Sequence, residues 1–138
     1  MNREQRHVSI LAPLKRKDGK TYIFLQKRSE NAKRAPGYFG FFGGGIKDGE
    51  TPEQALEREI QEELTFKSTK HSFFKKYDLE RCVAYVYLIK VEDDFENTIQ
   101  VKEGDYGKFF TEEELAQEKN VIPHDRQILK DIFTRQML

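Results

Sequence analysis

The chain has 138 residues, and its 24 basic and 24 acidic side chains leave a formal net charge of +0. This balance excludes the basic excess that is typical of nonspecific nucleic-acid binding, and the length predicts a single domain over residues 1–138. The sequence shows no signal-peptide region and no apolar run long enough to span a bilayer, so we expect a cytoplasmic protein without membrane contact.

The apolar pattern predicts strands that alternate with a few helices. Strands are expected at residues 8–14, 22–27, 39–42, 73–77, 82–91 and 107–110. The first two are joined by a turn whose Asp18-Gly19 pair favours a hairpin. Cys82, the only cysteine, excludes an intrachain disulfide and a cysteine-based zinc site, and we interpret it as a core residue.

Helices are predicted where capping residues precede apolar residues spaced by three and four. The first is expected over Pro52–Leu64, because Thr51 is a suitable N-cap and Gln54 completes a capping box. Thr111 opens a second, short helix with the same kind of signature. A final helix starts at Pro123, and its apolar face is formed by Ile128, Leu129, Ile132 and Phe133.

An acidic cluster on the first helix is the most informative feature of the chain. At about 100° per residue, Glu59, Glu62 and Glu63 fall within an arc of about 100°. Like charges at this spacing cost about 0.2–0.5 kcal/mol per pair, so local stability does not explain the cluster. Glu63 borders the buried stripe of Leu56, Ile60 and Leu64, where an unpaired carboxylate is costly. Magnesium and manganese prefer carboxylate oxygen, so the cluster predicts a metal site, and a solvated surface is the alternative.

These residues, with the glycine-rich turn before the helix, resemble the Nudix box, the signature of the Nudix hydrolases. Gly44 is followed after five residues by Glu50, and after seven more by Arg58-Glu59-Ile60 and then Glu62-Glu63. The match runs over residues 44–66 and departs from the family at Thr65, where glycine is usual. We expect this threonine to change how the helix ends and to leave the metal ligands untouched.

Three segments outside the box resemble the MutT-like members of that family. Arg28 ends a predicted strand, as an arginine does in those proteins. The segment Phe41-Phe42-Gly43-Gly44 takes the place of Phe-Pro-Gly-Gly, and Lys102-Glu103-Gly104 resembles a segment that supplies a further metal-binding glutamate.

The resemblance implies the Nudix fold, an α/β/α sandwich with a mixed β-sheet. It also implies a hydrolase that uses Mg²⁺, with Mn²⁺ as a substitute, to cleave a phosphoanhydride bond in a nucleoside diphosphate linked to another group. A nucleoside triphosphate is the first candidate substrate, and a nucleotide sugar or a dinucleoside polyphosphate remains open. The alternative is a Nudix-fold module that binds a nucleotide without cleaving it. In either case we expect a monomer or a homodimer.

The resemblance also implies roles for individual residues. The metal ligands are Glu59, Glu62 and Glu63, joined by the Gly43 carbonyl and Glu103, although Glu59 is also a candidate general base. Arg58 belongs to the catalytic set, and we expect it to form an ion pair with Glu50 that holds the loop to the helix.

Substrate contacts are expected from Arg28, Phe41 and Asp125. Arg28 is either a phosphate contact or an ordinary strand-end cation. Asp125 aligns with an asparagine that contacts the purine in MutT-like enzymes, so it either reads a guanine edge or favours the helix N-terminus. The remaining polar candidates are expected to be solvated surface residues: His7, Lys33, Arg34, His71, Glu92, Asp93, Asp94 and Glu96.

Overall fold

The computed structural model describes residues 5–67 and 70–136 of the chain. Its strands are β1 Arg6–Lys17, β2 Lys20–Lys27, β3 Phe39–Gly40, β4 Phe42–Gly45, β5 Ser72–Asp78, β6 Cys82–Lys90 and β7 Tyr106–Phe110. Its helices are α1 Pro52–Leu64, α2 Glu112–Gln117 and α3 Pro123–Gln136, and a 3₁₀ turn that the sequence did not predict lies at Phe95–Asn97.

All seven strands join one mixed sheet. β1 pairs with β6 in parallel, and the other pairings are antiparallel. β1 and β2 pair only from Leu14↔Ile23 to Lys17↔Lys20 and then diverge. The fork between them is filled by β3, which pairs with β2, and by β4, which pairs with β1. The single strand predicted over residues 39–42 is therefore wrong, because the chain changes partner strands at Phe41.

Helices cover both faces of the sheet and confirm the predicted sandwich. On one face, α1 buries Leu56, Ile60 and Leu64 against strand residues such as Phe24 and Phe42. The opposite face packs against α2 and α3, through Leu115, Ile128, Leu129, Ile132 and Phe133. Among the described residues, no helix is both long and apolar enough to cross a membrane.

The ends of α1 follow from local chemistry. Thr51 and Gln54 form the predicted capping box, in which each side chain accepts a hydrogen bond from the other residue's backbone N–H. At the other end Thr65 adopts a left-handed conformation with φ of 51°. This is the conformation in which glycine commonly ends a helix, and the expectation that threonine changes the helix end stays a prediction.

Candidate active site

The fork in the sheet brings two glycines against α1. A Cβ on Gly43 would lie 2.1 Å from the carbonyl oxygen of Ser9, and Gly43 has a φ of 142°. A Cβ on Gly44 would lie 2.5 Å from the carboxyl carbon of Glu59. A side chain at Gly43 would collide with the backbone of β1, and one at Gly44 would push against the Glu59 carboxyl group, so glycine at both positions leaves the loop backbone close to the acidic face of the helix.

Glu63 is the most buried of the helix glutamates, with 2% of its surface exposed. The backbone N–H of Gly43 donates to its carboxylate at 3.0 Å. Burial, followed by the charges of Glu103 and Glu59, nevertheless raises the pKa of Glu63 from 4.5 to about 9. The negative form of this side chain therefore lacks a positive partner, which is the environment that a divalent cation would relieve.

Arg58 joins the glycine-rich loop to α1. Its Nε donates to Glu50 at 2.7 Å and its Nη2 donates to the same carboxylate at 2.9 Å and to the Gly45 carbonyl at 3.0 Å. This two-bond ion pair, which the sequence predicted, holds the pKa of Glu50 at about 2. The guanidinium thus fixes the loop above the acidic face.

Glu59 and Glu62 differ from Glu63 in their surroundings. Arg58 Nη1 lies 2.8 Å from a Glu59 carboxylate oxygen and 3.6 Å from one of Glu62. The Glu59 side chain is 17% exposed and that of Glu62 is 57% exposed. The acidic arc therefore runs from the interior at Glu63 to solvent at Glu62.

Glu103 reaches the helix from a distant part of the chain. Its carboxyl group lies close enough to that of Glu63 for its charge to raise the pKa of Glu63. The segment before it is attached to the end of α1, because the N–H of Lys102 donates to the Glu63 carbonyl at 2.7 Å. The structure thus brings together Glu59, Glu63, Glu103 and the Gly43 backbone.

A cleft of about 600 Å³ extends from Gly43 and Gly44 to the first turn of α3. Its lining includes the three residues predicted to contact substrate, Arg28, Phe41 and Asp125. The cleft has a positive character because four arginines line it: Arg6, Arg28, Arg34 and Arg81.

Asp125 is buried at the inner wall of this cleft, with 7% of its surface exposed. Burial raises the pKa of its carboxyl group to about 6, against the opposing effects of His124, the Phe41 backbone N–H and Arg28. In its ionised form the carboxylate accepts hydrogen bonds. Arg28 donates through Nε to the Arg34 carbonyl at 2.8 Å, which orders the loop above the cleft.

Several residues of the cleft were missed or misread from sequence. Cys82 is only partly buried and lines the cleft, so its interpretation as a core residue is wrong. Arg34 is exposed as predicted, and it also lines the cleft. Arg6 and Arg81 were not singled out, because they meet only through the parallel pairing of β1 with β6. The acidic residues Glu92, Asp93, Asp94 and Glu96 are exposed, as predicted.

A second group of possible metal ligands lies elsewhere on α1. Ligand atoms of Glu53, Glu57 and His71 all lie within 4.8 Å of one another. The prediction that His71 is a surface residue is wrong, since its side chain is 3% exposed and its ring packs against Tyr87. Glu57 and Glu59 project about 160° apart around the helix, so this group faces away from the cleft.

Comparison with known proteins identifies the fold and the motif. A family model described as "NUDIX domain" matches residues 5–132. The nucleoside triphosphatase NudI of Salmonella agona is 42% identical over 59 residues, which are 43% of this chain and 40% of that protein. The 8-oxo-dGTP diphosphatase of Escherichia coli is 43% identical over 58 residues, or 42% of this chain and 44% of that protein.

These sequence matches cover less than half the length of either relative. Similarity of structure extends further. A solved MutT structure, from a study of the proteins of Aliivibrio salmonicida and Vibrio cholerae, has a TM-score of 0.76 at 23% identity. That alignment covers 96% of this chain and 99% of the other.

Proposed function

This chain belongs to the NUDIX domain family, and we propose that it is a metal-dependent pyrophosphohydrolase that acts on nucleotides. The observation that carries the proposal is the buried Glu63 carboxyl group, which adjoins Glu59 and Glu103 at the end of an arginine-lined cleft. Its raised pKa means that the site favours the arrival of positive charge, and the cleft beside it favours a polyanion.

The residues present fit a divalent cation, and we propose Mg²⁺ with Mn²⁺ as a substitute. Glu59, Glu62, Glu63 and Glu103 offer carboxylate oxygens and Gly43 offers a backbone carbonyl, which is the donor set of a hard cation. When bound, the cation neutralises phosphate charge and acidifies a water molecule. We favour this group over Glu53, Glu57 and His71, because Gly43 and Gly44, which line the cleft, lie against Glu63 and Glu59.

The chain's own groups would then bind and orient the substrate. The four arginines that line the cleft, Arg6, Arg28, Arg34 and Arg81, attract and hold the phosphates. Arg58 keeps the loop and the acidic helix face in register and offsets the charge of Glu59. The carboxylates of the cluster, Glu59 among them, are the groups that can accept the proton of the attacking water.

Asp125 and Phe41 are proposed to form the base-binding end of the cleft. An ionised aspartate accepts from the two N–H groups on the Watson–Crick edge of guanine, whereas adenine presents a different pattern. The relatives are named for activity on nucleoside triphosphates and 8-oxo-dGTP, and this supports a nucleoside triphosphate as the substrate of this chain.

The alternative is a module that binds a nucleotide without cleaving it. The retention of Glu59, Glu62 and Glu63 together with Glu103 favours hydrolysis, because binding alone does not require four carboxylates beside a phosphate site. The cleft and its arginines would serve either function equally well.

A substrate panel tests the proposal. The full chain is incubated with Mg²⁺ and purine or pyrimidine nucleoside triphosphates, nucleotide sugars and dinucleoside polyphosphates, and ion chromatography identifies the products. We expect a nucleoside triphosphate to yield nucleoside monophosphate and pyrophosphate. Tight binding of a nucleotide without release of phosphate or pyrophosphate would instead identify the chain as a binding module.

A further inference from the structure

Gln26 is a buried polar residue that neither the proposed site nor the helix ends account for. Buried polar residues among those described are Ser9, Gln26, Glu63, Thr111 and Asp125. Ser9 bonds to the Pro52 carbonyl at the start of α1, and Thr111 caps α2. Glu63 and Asp125 belong to the candidate site. Gln26 has 3% of its surface exposed, and none of these roles explains why a polar side chain is buried there.

The Gln26 amide holds the backbone of Glu103. Its Nε2 donates to the Glu103 carbonyl oxygen at 2.9 Å, across 77 positions of sequence. Gln26 lies two residues after Phe24 on β2, so its side chain points to the face of the sheet that α1 covers. A polar side chain at this position loses its hydration on folding and needs a partner there.

The contact between β2 and the Glu103 loop is unusually close. Gly104 has a φ of 78°, and a Cβ on it would lie 2.6 Å from the Lys27 carbonyl oxygen and 2.9 Å from Cγ of Gln26. The N–H of Asp105 donates to the same Lys27 carbonyl at 2.8 Å. The loop is therefore fixed against the end of β2 directly after Glu103.

The other side of the loop is fixed to α1. The N–H groups of Gln100 and Lys102 donate to the carbonyls of Leu64 and Glu63, at 3.0 Å and 2.7 Å. Glu103 is thus the residue between two attachments, one to the acidic helix and one to β2. The Gln26 bond is the one made to the Glu103 peptide itself, so it fixes the direction from which this carboxylate approaches Glu63.

We propose that Gln26 is a positioning residue that holds Glu103 beside Glu63, where the two carboxylates share a divalent cation. The inference rests on the proposed function in one respect, namely that Glu103 helps to hold the cation. Gln26 touches neither cation nor substrate and acts through the Glu103 peptide. An ordinary structural role would lower stability without changing the metal affinity.

Mn²⁺ affinity of the nucleotide-free full chain tests this directly, with free Mn²⁺ counted by electron paramagnetic resonance. All proteins carry Glu53→Gln, which removes a ligand of the separate group at Glu53, Glu57 and His71. The test variants are Gln26→Leu and, in case that protein folds poorly, Gln26→Met. Ser9→Ala is the matched control, because it removes another buried side-chain bond to a backbone carbonyl.

We expect either Gln26 variant to bind Mn²⁺ about tenfold more weakly, since partners of metal ligands have effects of about 10- to 100-fold. Ser9→Ala should bind Mn²⁺ as the parent does. In a Glu103→Gln background the Gln26 substitution should cause no further loss, because the residue it positions has already lost its charge.

Two results would overturn the inference. One is an unchanged Mn²⁺ affinity in the folded Gln26 variants, and the other is an equal loss with and without Glu103→Gln. A parent protein that binds no Mn²⁺ at all would contradict the proposed function, and with it the cation that Gln26 is proposed to serve. A parent that binds Mn²⁺ while the Gln26 variants match it rejects only the role of Gln26.

Discussion

Glu63 occupies surroundings that disfavour its charge, and this links the stability of the protein to pH. Burial, Glu103 and Glu59 raise the pKa of Glu63 from 4.5 to about 9, and the Gly43 N–H opposes this only in part. The folded protein therefore keeps a proton that the unfolded chain releases. A raised pKa contributes stability that is fully present below the unfolded pKa and is lost as pH rises through the folded pKa.

We predict that the metal-free protein loses stability as the pH rises from about 4.5 towards about 9. Relative to Glu63→Gln, its free energy of unfolding should fall by up to about 1.4 kcal/mol per pH unit. Urea unfolding in EDTA at a series of pH values measures this difference. Glu57→Gln, an exposed change on the same helix, should keep the wild-type slope. Equal slopes for wild type and Glu63→Gln would contradict the prediction.

The second prediction for a single residue is that Asp125 recognises the base of the substrate. The variant Asp125→Ala should lose about tenfold to a hundredfold in kcat/KM on a guanine triphosphate, because bonds to charged groups contribute about 1.5–3 kcal/mol. The loss on the adenine analogue should be much smaller. Steady-state kinetics with both substrates gives the comparison.

The matched control for Asp125 is Asp131→Asn on the same helix. Asp131 accepts from the hydroxyl of Tyr77 at 2.7 Å and does not line the cleft. This variant should leave the preference for guanine unchanged. Equal losses on both bases in Asp125→Ala, or no loss on either, would remove Asp125 from base recognition.

At the scale of the element, α1 ends with a residue, Thr65, whose backbone conformation is strained. Thr65 has a φ of 51°, a region that β-branched residues rarely adopt. Its N–H donates to the Gln61 carbonyl and its hydroxyl donates to the Leu64 carbonyl at 2.6 Å. These bonds offset part of the strain of about 1–2 kcal/mol that a left-handed L-residue carries.

We predict that Thr65→Gly raises the free energy of unfolding by about 0.5–1 kcal/mol. Glycine makes the unfolded chain more flexible, which lowers the stability of the folded protein by roughly 0.4–1 kcal/mol. The strain of about 1–2 kcal/mol that glycine removes from the left-handed position is larger. Thr65→Ala is the control, because it removes the hydroxyl and keeps the strain, and it should be less stable than wild type. Urea unfolding measures all three proteins. A glycine variant no more stable than the alanine variant would show that backbone strain does not govern this cap.

The helices could be predicted from sequence because their signals are local. Thr51 and Gln54 identify the start of α1, and Leu56, Ile60 and Leu64 identify its buried stripe, all within a few turns. The family motif lies in the same continuous segment, so Glu50, Arg58 and the acidic residues were found together.

The fork and the cleft could not be predicted in this way. The break at Phe41 depends on which strands pair with β3 and β4, and those partners lie far away in sequence. Arg6 and Cys82 come together only through the register of β1 with β6. Gln26 did carry a local signal, a polar residue on the same face as Phe24, but its partner Glu103 is 77 positions away.

At the scale of the whole molecule, a neutral chain has a strongly polarised site. The formal charge is +0, yet four arginines line the cleft. Gly43 and Gly44, which line it as well, lie against Glu63 and Glu59. Under the proposed function, the phosphates of a nucleotide would meet the arginines and, through a cation, the carboxylates. The sheet supplies the rigid support, since the fork places Gly43 and Gly44 directly against α1.

The central claim is that the functional cation is held on the Glu63 side of α1 and not by Glu53, Glu57 and His71. The most direct measurement is the rate of pyrophosphate release from the best nucleoside triphosphate, with Mg²⁺ and with EDTA, for wild type, Glu63→Gln and Glu57→Gln. We predict that EDTA abolishes the wild-type rate, that Glu63→Gln loses about a hundredfold in kcat while still folded, and that Glu57→Gln retains nearly the full rate. Hydrolysis that survives EDTA, or a loss in Glu57→Gln with full activity in Glu63→Gln, would contradict the account.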